Sequence, residues 1–268
     1  MTHPLDEAVR FTTTSSDDSG AVLRAATHPA YNNMVGPFGG ITAAQLLAAV
    51  QQHLAAQGNP AAQTLNYTSP VEYGEFDIHL ELVQTNNSNQ HWNVRITQGE
   101  STPVTGSVVF TSERDTFAHQ EARLPQVPGP EECESAPPVN DLRWLDNYEF
   151  RFARGAYELG REHDDSESVY WLRHTPSRHW DAPSLASAAD SFFPRIFLRT
   201  GKPHPAATIS LTTYFLGTPE EYASAGEYVL CQGRAQRFGG GTADQSARLF
   251  SSEGHLLVST HQLTYFRG

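Results

Sequence analysis

The alternation of apolar and polar positions predicts one helix and then several strands in the first half of the chain. After a glycine-rich stretch at Gly39-Gly40, apolar residues recur at spacings of three and four, namely Ala43, Leu47, Val50 and Leu54. This pattern predicts an amphipathic helix over 41–54. Segments rich in β-branched and aromatic residues then predict antiparallel strands at 62–71, 76–84, 91–98 and 104–111. The polar residues 1–20 are typical of a frayed end or an edge strand.

The same order of elements restarts in the second half, after a proline-rich interval. The interval 113–138 contains five prolines among polar residues and predicts an irregular linker. An apolar stripe from Leu185 to Phe193 predicts a second helix, which Pro194 bends or ends. Strands are predicted around it at 148–157, 168–172, 206–216, 227–238, 247–252 and 256–266.

The two halves align with each other as a weak internal repeat. The segment 64–69 (TLNYTS) aligns with 208–213 (TISLTT), at equal spacing from Gly40 and Ser184. The segment 105–114 aligns with 258–267, and each ends in an arginine. Consistent order over two matches indicates two similar α+β units. We therefore predict a first domain over 1–112, a linker over 113–143 and a second domain over 144–268.

Composition and charge narrow the class of protein. The 268 residues carry a net charge of −12, which argues against nucleic-acid binding because phosphate contacts need a basic face. An anionic substrate would require a local basic patch. The two cysteines show no metal-ligand spacing and indicate a reducing compartment. Without a membrane-spanning apolar run or the features of a secretory signal, we expect a cytoplasmic protein.

Three stretches of the second half resemble the C-terminal hotdog domain of the acyl-CoA thioesterase II family. They are 185–194 (LASAADSFFP), 206–215 (AATISLTTYF) and 254–267 (GHLLVSTHQLTYFR). Phe38-Gly39-Gly40 resembles the same family in the first half. The resemblance implies an α+β tandem (double) hotdog, in which each half is a long helix packed on a curved antiparallel sheet. It also implies hydrolysis of acyl-CoA without metal or cofactor, and a homo-oligomer of double hotdogs.

The resemblance further implies a set of site residues. The family's water-activating Asp, Thr and Gln map onto Asp190, Thr208 and Gln262. Thioester hydrolysis needs an oriented water, an acceptor for its proton and donors for the developing oxyanion. Asp190 suits the acceptor, while the hydroxyl and amide of the other two can hold a water. The backbone amides of Gly39 and Gly40, at the start of a helix, are suitable donors to the thioester carbonyl.

The first half departs from this set. Gln45 or Leu46 aligns with Asp190, and Val109 aligns with Gln262, so only Thr64 repeats its counterpart. We therefore expect one working site per chain, with the first half as scaffold, oxyanion donor or part of an acyl tunnel between the hotdogs. A Gln45 side chain that points inward would help to position water.

Structural roles for the same residues remain open alternatives. Asp190 is also compatible with a solvated helix position, and Thr208 with an ordinary strand residue. Gln262 alternates with Leu263, which suits an outward polar position. Gly239-Gly240-Gly241 lacks the Lys-Ser/Thr of a phosphate loop and indicates a flexible hairpin, which would cover the tunnel mouth. Coenzyme A would draw on a few cationic side chains, for which the candidates are Arg195, Arg199 and Lys202.

Two other functions use the same fold. A non-catalytic acyl-CoA or acyl-carrier binding module would keep the tunnel without turnover. A double-hotdog enoyl-CoA hydratase would need an Asp-x-Asn-Pro-x-His motif, which the sequence does not contain.

Overall fold

The computed structural model describes residues 2–137, 139 and 141–268. Its α-helices are α1 (Pro4–Ala8), α2 (Gly39–Gln51), α3 (Ala182–Ala188), α4 (Ile196–Thr200) and α5 (Pro219–Ala223). The strands that come before α3 are β1 (Thr12–Asp17), β2 (Gly20–Ala26), β3 (Asn59–Tyr67), β4 (Glu75–Thr85), β5 (Asn89–Gln98), β6 (Ser101–Thr111), β7 (Glu134–Ser135), β8 (Tyr148–Arg154) and β9 (Ser168–His174). Those after it are β10 (Ala206–Phe215), β11 (Val229–Arg234), β12 (Phe238–Gly239), β13 (Thr242–Phe250) and β14 (Leu256–Phe266).

One antiparallel sheet runs through both halves of the chain. Its order is β1-β2-β4-β5-β6-β3-β10-β14-β13-β11-β9-β8-β7, with β12 paired to β13. The halves join where β3 pairs with β10, and there Asn66 lies directly opposite Ser210. These two residues are also counterparts in the sequence repeat. When a twofold axis relates two antiparallel strands, the residue at the axis lies opposite its own counterpart in the other copy. The pairing of Asn66 with Ser210 therefore agrees with the sequence repeat.

Helix α2 is buried on every side, which corrects the predicted amphipathic helix. All residues from Gly40 to Val50 are buried, because α2 packs on β3, β4 and β5 and also against α3. The helix ends at Gln51, and Leu54, predicted as part of its apolar face, is 99% exposed. Small residues make up much of α2, and they allow the second helix to approach closely.

Helix α3 is shorter than predicted and begins earlier. The Asp181 side chain accepts a hydrogen bond from the Ser184 N–H at 2.9 Å and caps the first turn. Directly after Ala188 the chain forms a turn, in which the Asp190 N–H donates to Ser187 O at 3.2 Å. The helix therefore ends well before Pro194, and Asp190 lies just past its carboxyl end.

The polar N-terminus is more ordered than a frayed end. Strand β1 is the edge strand that the sequence suggested, but α1 and β2 were not predicted. Buried Leu5 anchors α1 in the core, and β2 alternates buried and exposed residues. Both elements are too short for their patterns to stand out in a polar sequence.

The proline-rich interval is irregular over 112–129, as predicted, but it packs on the protein. Trp171 donates its indole N–H to the Pro128 carbonyl at 2.9 Å. Leu124 and Val127 contact a small cluster with Trp171 on the face of β9 opposite Tyr170. The interval thus covers the outer face of the second-half sheet, and β7 within it adds an edge strand beside β8. The domain boundaries at 112 and 143 stay a prediction.

Strand positions agree with the sequence pattern, while several ends differ. Strand β3 ends at Tyr67 rather than at residue 71, and β13 begins at Thr242 rather than at residue 247. The predicted glycine hairpin joins β12 to β13. Gly240 and Gly241 have φ of 60° and 75°, a backbone conformation that favours glycine.

Candidate active site

Asp190, Thr208 and Gln262 come together from three elements. Asp190 follows α3, Thr208 lies near the start of β10, and Gln262 lies in the middle of β14. The Gln262 Nε2 donates to Asp190 Oδ1 at 2.5 Å. The Thr208 hydroxyl and the Gly40 N–H are further donor groups beside this carboxyl, and like Gln262 they lower its pKa. Residues far apart in sequence therefore converge on one carboxyl group.

An irregularity in β10 turns Thr208 toward Asp190. The pairing of β10 with β14 shifts register between Thr208 and Ser210, which leaves Ile209 as the extra residue of a β-bulge. Simple alternation would place Thr208 on the same face as Tyr214, which is half exposed. The bulge shifts the alternation of side chains by one residue, so the Thr208 side chain lies on the same face as Leu211, toward the helices.

Around Gln262, the polar side chains of β14 are buried and the apolar ones are partly exposed. Thr260, Gln262 and Thr264 are buried, whereas Leu263 and Tyr265 are 40% and 37% exposed. The outward position of Gln262, which alternation left open, is therefore wrong. A polar stripe on the inner face is costly in an ordinary core unless its groups are hydrogen-bonded. Here the stripe supplies the donor to Asp190.

Gln245 fixes the orientation of the Gln262 amide. It lies directly opposite on β13, and its Nε2 donates to Gln262 Oε1 at 2.8 Å. Because the oxygen of Gln262 is engaged there, its nitrogen faces Asp190. Both side chains are almost fully buried, so water does not compete for these bonds. Sequence reasoning missed Gln245, since it lies outside the three stretches that carry the family resemblance.

The environment of Asp190 suits a proton acceptor. The residue keeps partial solvent contact, but the protein surrounds its carboxyl group closely. This desolvation raises the pKa of Asp190 to about 7, against the opposing effect of the hydrogen bonds from Gln262, Gly40 and Thr208. The side chain is thus neither the solvated, inert residue considered as an alternative nor a strong acid. It can take up and release a proton near neutral pH.

The two glycines lie where the start of α2 meets the end of α3. A Cβ on Gly39 would lie 2.7 Å from Asp190 Oδ2, and one on Gly40 would lie 2.4 Å from the Ser187 carbonyl oxygen. Both glycines therefore permit close approach, one to the carboxylate and one to the other helix. Phe38 provides no side-chain acceptor, so the side chain of the cap residue does not compete for the N–H groups of Gly39 and Gly40.

A tyrosine from the first half also borders the site. The Tyr67 hydroxyl donates to the Gly39 carbonyl at 2.9 Å. A Cβ on Gly39 would lie 3.5 Å from the Tyr67 ring, so the ring packs on this glycine. Burial, and next the charge of Asp190, raise the pKa of Tyr67, which keeps the phenol neutral. No motif in the sequence marked this residue.

Two other repeat positions of the first half, Gln45 and Thr64, have partners away from Asp190. Gln45 points inward, but its Nε2 donates to the carbonyls of Ala8 and Ala26 at 2.9 and 3.0 Å. It ties the N-terminal segment to α2 and is not placed to position water. Thr64 faces Thr212, with 3.1 Å between their hydroxyl oxygens.

The three cationic side chains considered for contact with coenzyme A differ in solvent exposure. Arg195 is 1% exposed, and its guanidinium donates to the Phe193 carbonyl and the Ser168 hydroxyl. It holds the turn after α3 in place, so its assignment to coenzyme A is wrong. Arg199 donates to the His163 carbonyl and is partly exposed, whereas Lys202 is exposed.

An open groove of about 430 Å³ lies elsewhere, on the first half, and includes Thr64, Asn66, Arg95 and Ser107 in its lining. It faces away from Asp190, since Asn66 and the site-facing Tyr67 point to opposite faces of β3.

Within 2–137, 139 and 141–268, no helix has the length and apolar character needed to cross a membrane. Across the same residues, no group of three or more His, Cys, Asp and Glu side chains is arranged to hold a metal ion.

Comparison with protein families gives two matches that together span most of the chain. The model for the acyl-CoA thioesterase C-terminal domain matches residues 130–266. The model for the acyl-CoA thioesterase N-terminal domain matches residues 28–111. Comparison with curated proteins gives no match.

Solved structures show the same fold over the whole chain. A hotdog-fold protein of unknown function from Alicyclobacillus acidocaldarius is 34% identical, covers 100% of this chain and 99% of its own, and has a TM-score of 0.93. A putative thioesterase II from Thermobifida fusca is 16% identical, with coverage of 100% and 98% and a TM-score of 0.85. An acyl-CoA thioesterase II from Mycobacterium marinum is 16% identical, with coverage of 98% of both chains and a TM-score of 0.76.

The α+β double-hotdog fold predicted from the resemblance is thus confirmed. With both domain models matched in order along one chain, the protein belongs to the acyl-CoA thioesterase family and is an acyl-CoA thioester hydrolase.

Proposed function

We propose that this thioesterase hydrolyses acyl-CoA by direct attack of water, with Asp190 as the general base. The observation that carries the proposal is the convergence of Gln262, Thr208 and the Gly40 amide on a carboxyl group with a pKa of about 7. A base with this pKa is ionised in a large fraction of molecules at neutral pH and still accepts a proton readily.

In the proposed reaction, the water oxygen attacks the thioester carbonyl carbon while Asp190 takes up one of its protons. Thr208 and Gln262 hold the water against the carboxylate. The tetrahedral intermediate then collapses with cleavage of the carbon–sulfur bond. The thiolate of coenzyme A leaves and takes the proton back from Asp190, so that free acid and thiol are formed and the base is regenerated.

We assign the oxyanion to the first amides of α2. The negative charge that develops on the thioester oxygen needs donors in a fixed position. The N–H groups of Gly39 and Gly40 lie at the positive end of a thirteen-residue helix and beside Asp190. The first half would therefore contribute the oxyanion donors, and the second half the base.

The remaining features of the assignment are also proposals. Each half forms one hotdog unit with its own helix, over 1–112 and 144–268, and the acyl chain lies between the units. Double units assemble further into a homo-oligomer in the cytoplasm, and nucleic acid is not a ligand because the net charge is −12. Arg199 and Lys202 remain candidates for contact with coenzyme A.

Thiol release from a panel of acyl-CoA esters of different chain length tests the mechanism, with Asp190→Asn run in parallel. Release by the wild type and a large loss in the variant would support Asp190 as the base. Binding of the esters without release would instead favour the non-catalytic binding module. Hydration of an enoyl-CoA without thiol release would favour the hydratase.

A further inference from the structure

We infer that Tyr67, in the first half of the chain, is a positioning residue that orients the peptide group between Gly39 and Gly40 toward the reacting centre. The inference rests on the proposed function, in which this peptide supplies an N–H to Asp190 or to the oxyanion. It assigns the first hotdog a part in catalysis through a specific side chain.

One peptide group lies between Tyr67 and Asp190. The Gly39 carbonyl and the Gly40 N–H belong to the same planar trans peptide, so they point in opposite directions. The Tyr67 hydroxyl donates to the carbonyl at 2.9 Å. The N–H on the other side lies beside the Asp190 carboxyl and lowers its pKa, as expected of a donor directed at the carboxylate. A bond made by Tyr67 on one edge of the peptide therefore sets the direction of the donor on its other edge.

The peptide needs this support because both of its residues are glycines. Glycine has the widest range of backbone conformations, and it is required here because a Cβ on either residue would clash. The Phe38 side chain makes no cap hydrogen bond to the same turn. The ring and hydroxyl of Tyr67 restrain this peptide further, in addition to the backbone hydrogen bonds of α2.

The bond to Tyr67 also strengthens the amide as a donor. A peptide that accepts a hydrogen bond at its oxygen becomes polarised, and its N–H donates more strongly. The phenol stays a donor because burial and the charge of Asp190 keep it neutral. Removal of the hydroxyl should therefore weaken the donation from Gly40 to the ionised Asp190 and to the developing oxyanion alike.

Tyr67→Phe tests the inference because it keeps the ring on Gly39 and removes only the hydroxyl. We expect kcat to fall about three- to tenfold, the rate factor that corresponds to one net hydrogen bond, with KM changed by less than about twofold. The pKa of Asp190, followed by carbon-13 NMR of aspartate-labelled protein, should rise above the wild-type value. Thermal unfolding by circular dichroism reports whether the fold is retained.

Tyr170→Phe is the matched control. The Tyr170 hydroxyl contacts the Ser191 hydroxyl at 2.9 Å and makes no hydrogen bond to the peptide of Gly39. Burial, and to a smaller extent the charge of Asp190, raise the pKa of Tyr170, as they do for Tyr67. We expect wild-type kcat and a smaller change in the pKa of Asp190. Equal effects of the two variants would overturn the inference, as would an unchanged kcat in Tyr67→Phe.

A fluorinated tyrosine at position 67 gives the opposite perturbation and keeps the volume of the side chain nearly constant. Its more acidic hydroxyl is a stronger donor, so the pKa of Asp190 should fall below the wild-type value. A rise or no change would contradict the coupling through the peptide. The NMR titration does not depend on turnover. If Asp190→Asn retains activity and the proposed mechanism is wrong, the titration still measures how the Tyr67 hydroxyl affects the pKa of Asp190.

Discussion

Replacement of Asp190 by asparagine should remove activity and stabilise the folded protein at the same time. The variant keeps the shape of the side chain but cannot accept the proton from water, so turnover should fall on the order of 10²-fold or more. The gain in stability follows from the raised pKa, because the folded state holds the carboxyl in a place where its charge is disfavoured.

The size of the stability effect follows from the pKa. A carboxyl group whose pKa rises from 3.8 to about 7 on folding makes the ionised folded state less stable by at most about 4 kcal/mol. Asparagine avoids this cost but places an amide nitrogen near the Gly40 N–H, which loses about one hydrogen bond. We therefore expect a net gain of about 2 to 3 kcal/mol in the free energy of unfolding at about pH 8.

The stability of Asp190→Asn relative to the wild type should increase as the pH rises. Between about pH 4 and pH 7, the unfolded chain has released the Asp190 proton while the folded protein still holds it. The free energy of unfolding of the wild type should therefore fall as pH rises through this window, relative to that of Asp190→Asn. Kcat should rise with pH through the same region, since the base acts in its ionised form.

Urea denaturation of both proteins at several pH values, together with thiol release, measures these quantities. Asp164→Asn serves as the control, because Asp164 is an exposed aspartate of the same half. Wild-type turnover in Asp190→Asn would refute its role as the base. A difference in stability that does not vary with pH would refute the raised pKa, whatever the activity.

Three further changes probe the surroundings of the carboxyl group. Gln262→Ala should lower kcat and raise the pKa of Asp190, because it removes the donor at 2.5 Å; an unchanged pH–rate profile would place the water elsewhere. Gln245→Met should lower kcat about two- to tenfold, less than Gln262→Ala, because the Gln262 amide can then turn. If kcat of Gln245→Met equals that of the wild type, another group fixes the orientation of the Gln262 amide. Gly39→Ala should reduce thiol release far more than it lowers the melting temperature, since the new methyl group meets Asp190 Oδ2 at 2.7 Å before it meets the core.

The sequence was sufficient for the parts of the site that depend on order along the chain. The apolar stripe before Pro194 and the terminal strand located Asp190 and Gln262, because each lies in a stretch with a resemblance to the family. Thr208 was located by the same means, but its orientation was not predictable. Alternation along β10 gives the wrong face, and only the bulge at Ile209 corrects it.

The sequence did not predict residues whose hydrogen-bond partners lie on distant elements of the fold. Gln245 and Tyr67 lie on strands β13 and β3, and their partners Gln262 and Gly39 come from other elements. Pairing between distant strands is set by the register of the whole sheet, which no local pattern specifies. The burial of α2 on every side depends likewise on the approach of α3, which the periodicity of one helix does not reveal.

The different starts of the two helices explain why a repeated fold would carry one site per chain. Ser184 occupies the repeat position of Gly40, but its N–H is already bonded to the Asp181 carboxylate, and its hydroxyl binds the backbone of the same residue. The amides at the start of α3 are thus capped within their own turn. At the start of α2, Phe38 supplies no such acceptor, and the acceptor comes instead from Asp190 at the end of the other helix. One capped and one uncapped helix start therefore make the twofold repeat unequal, and the carboxylate lies where amides are free to stabilise charge.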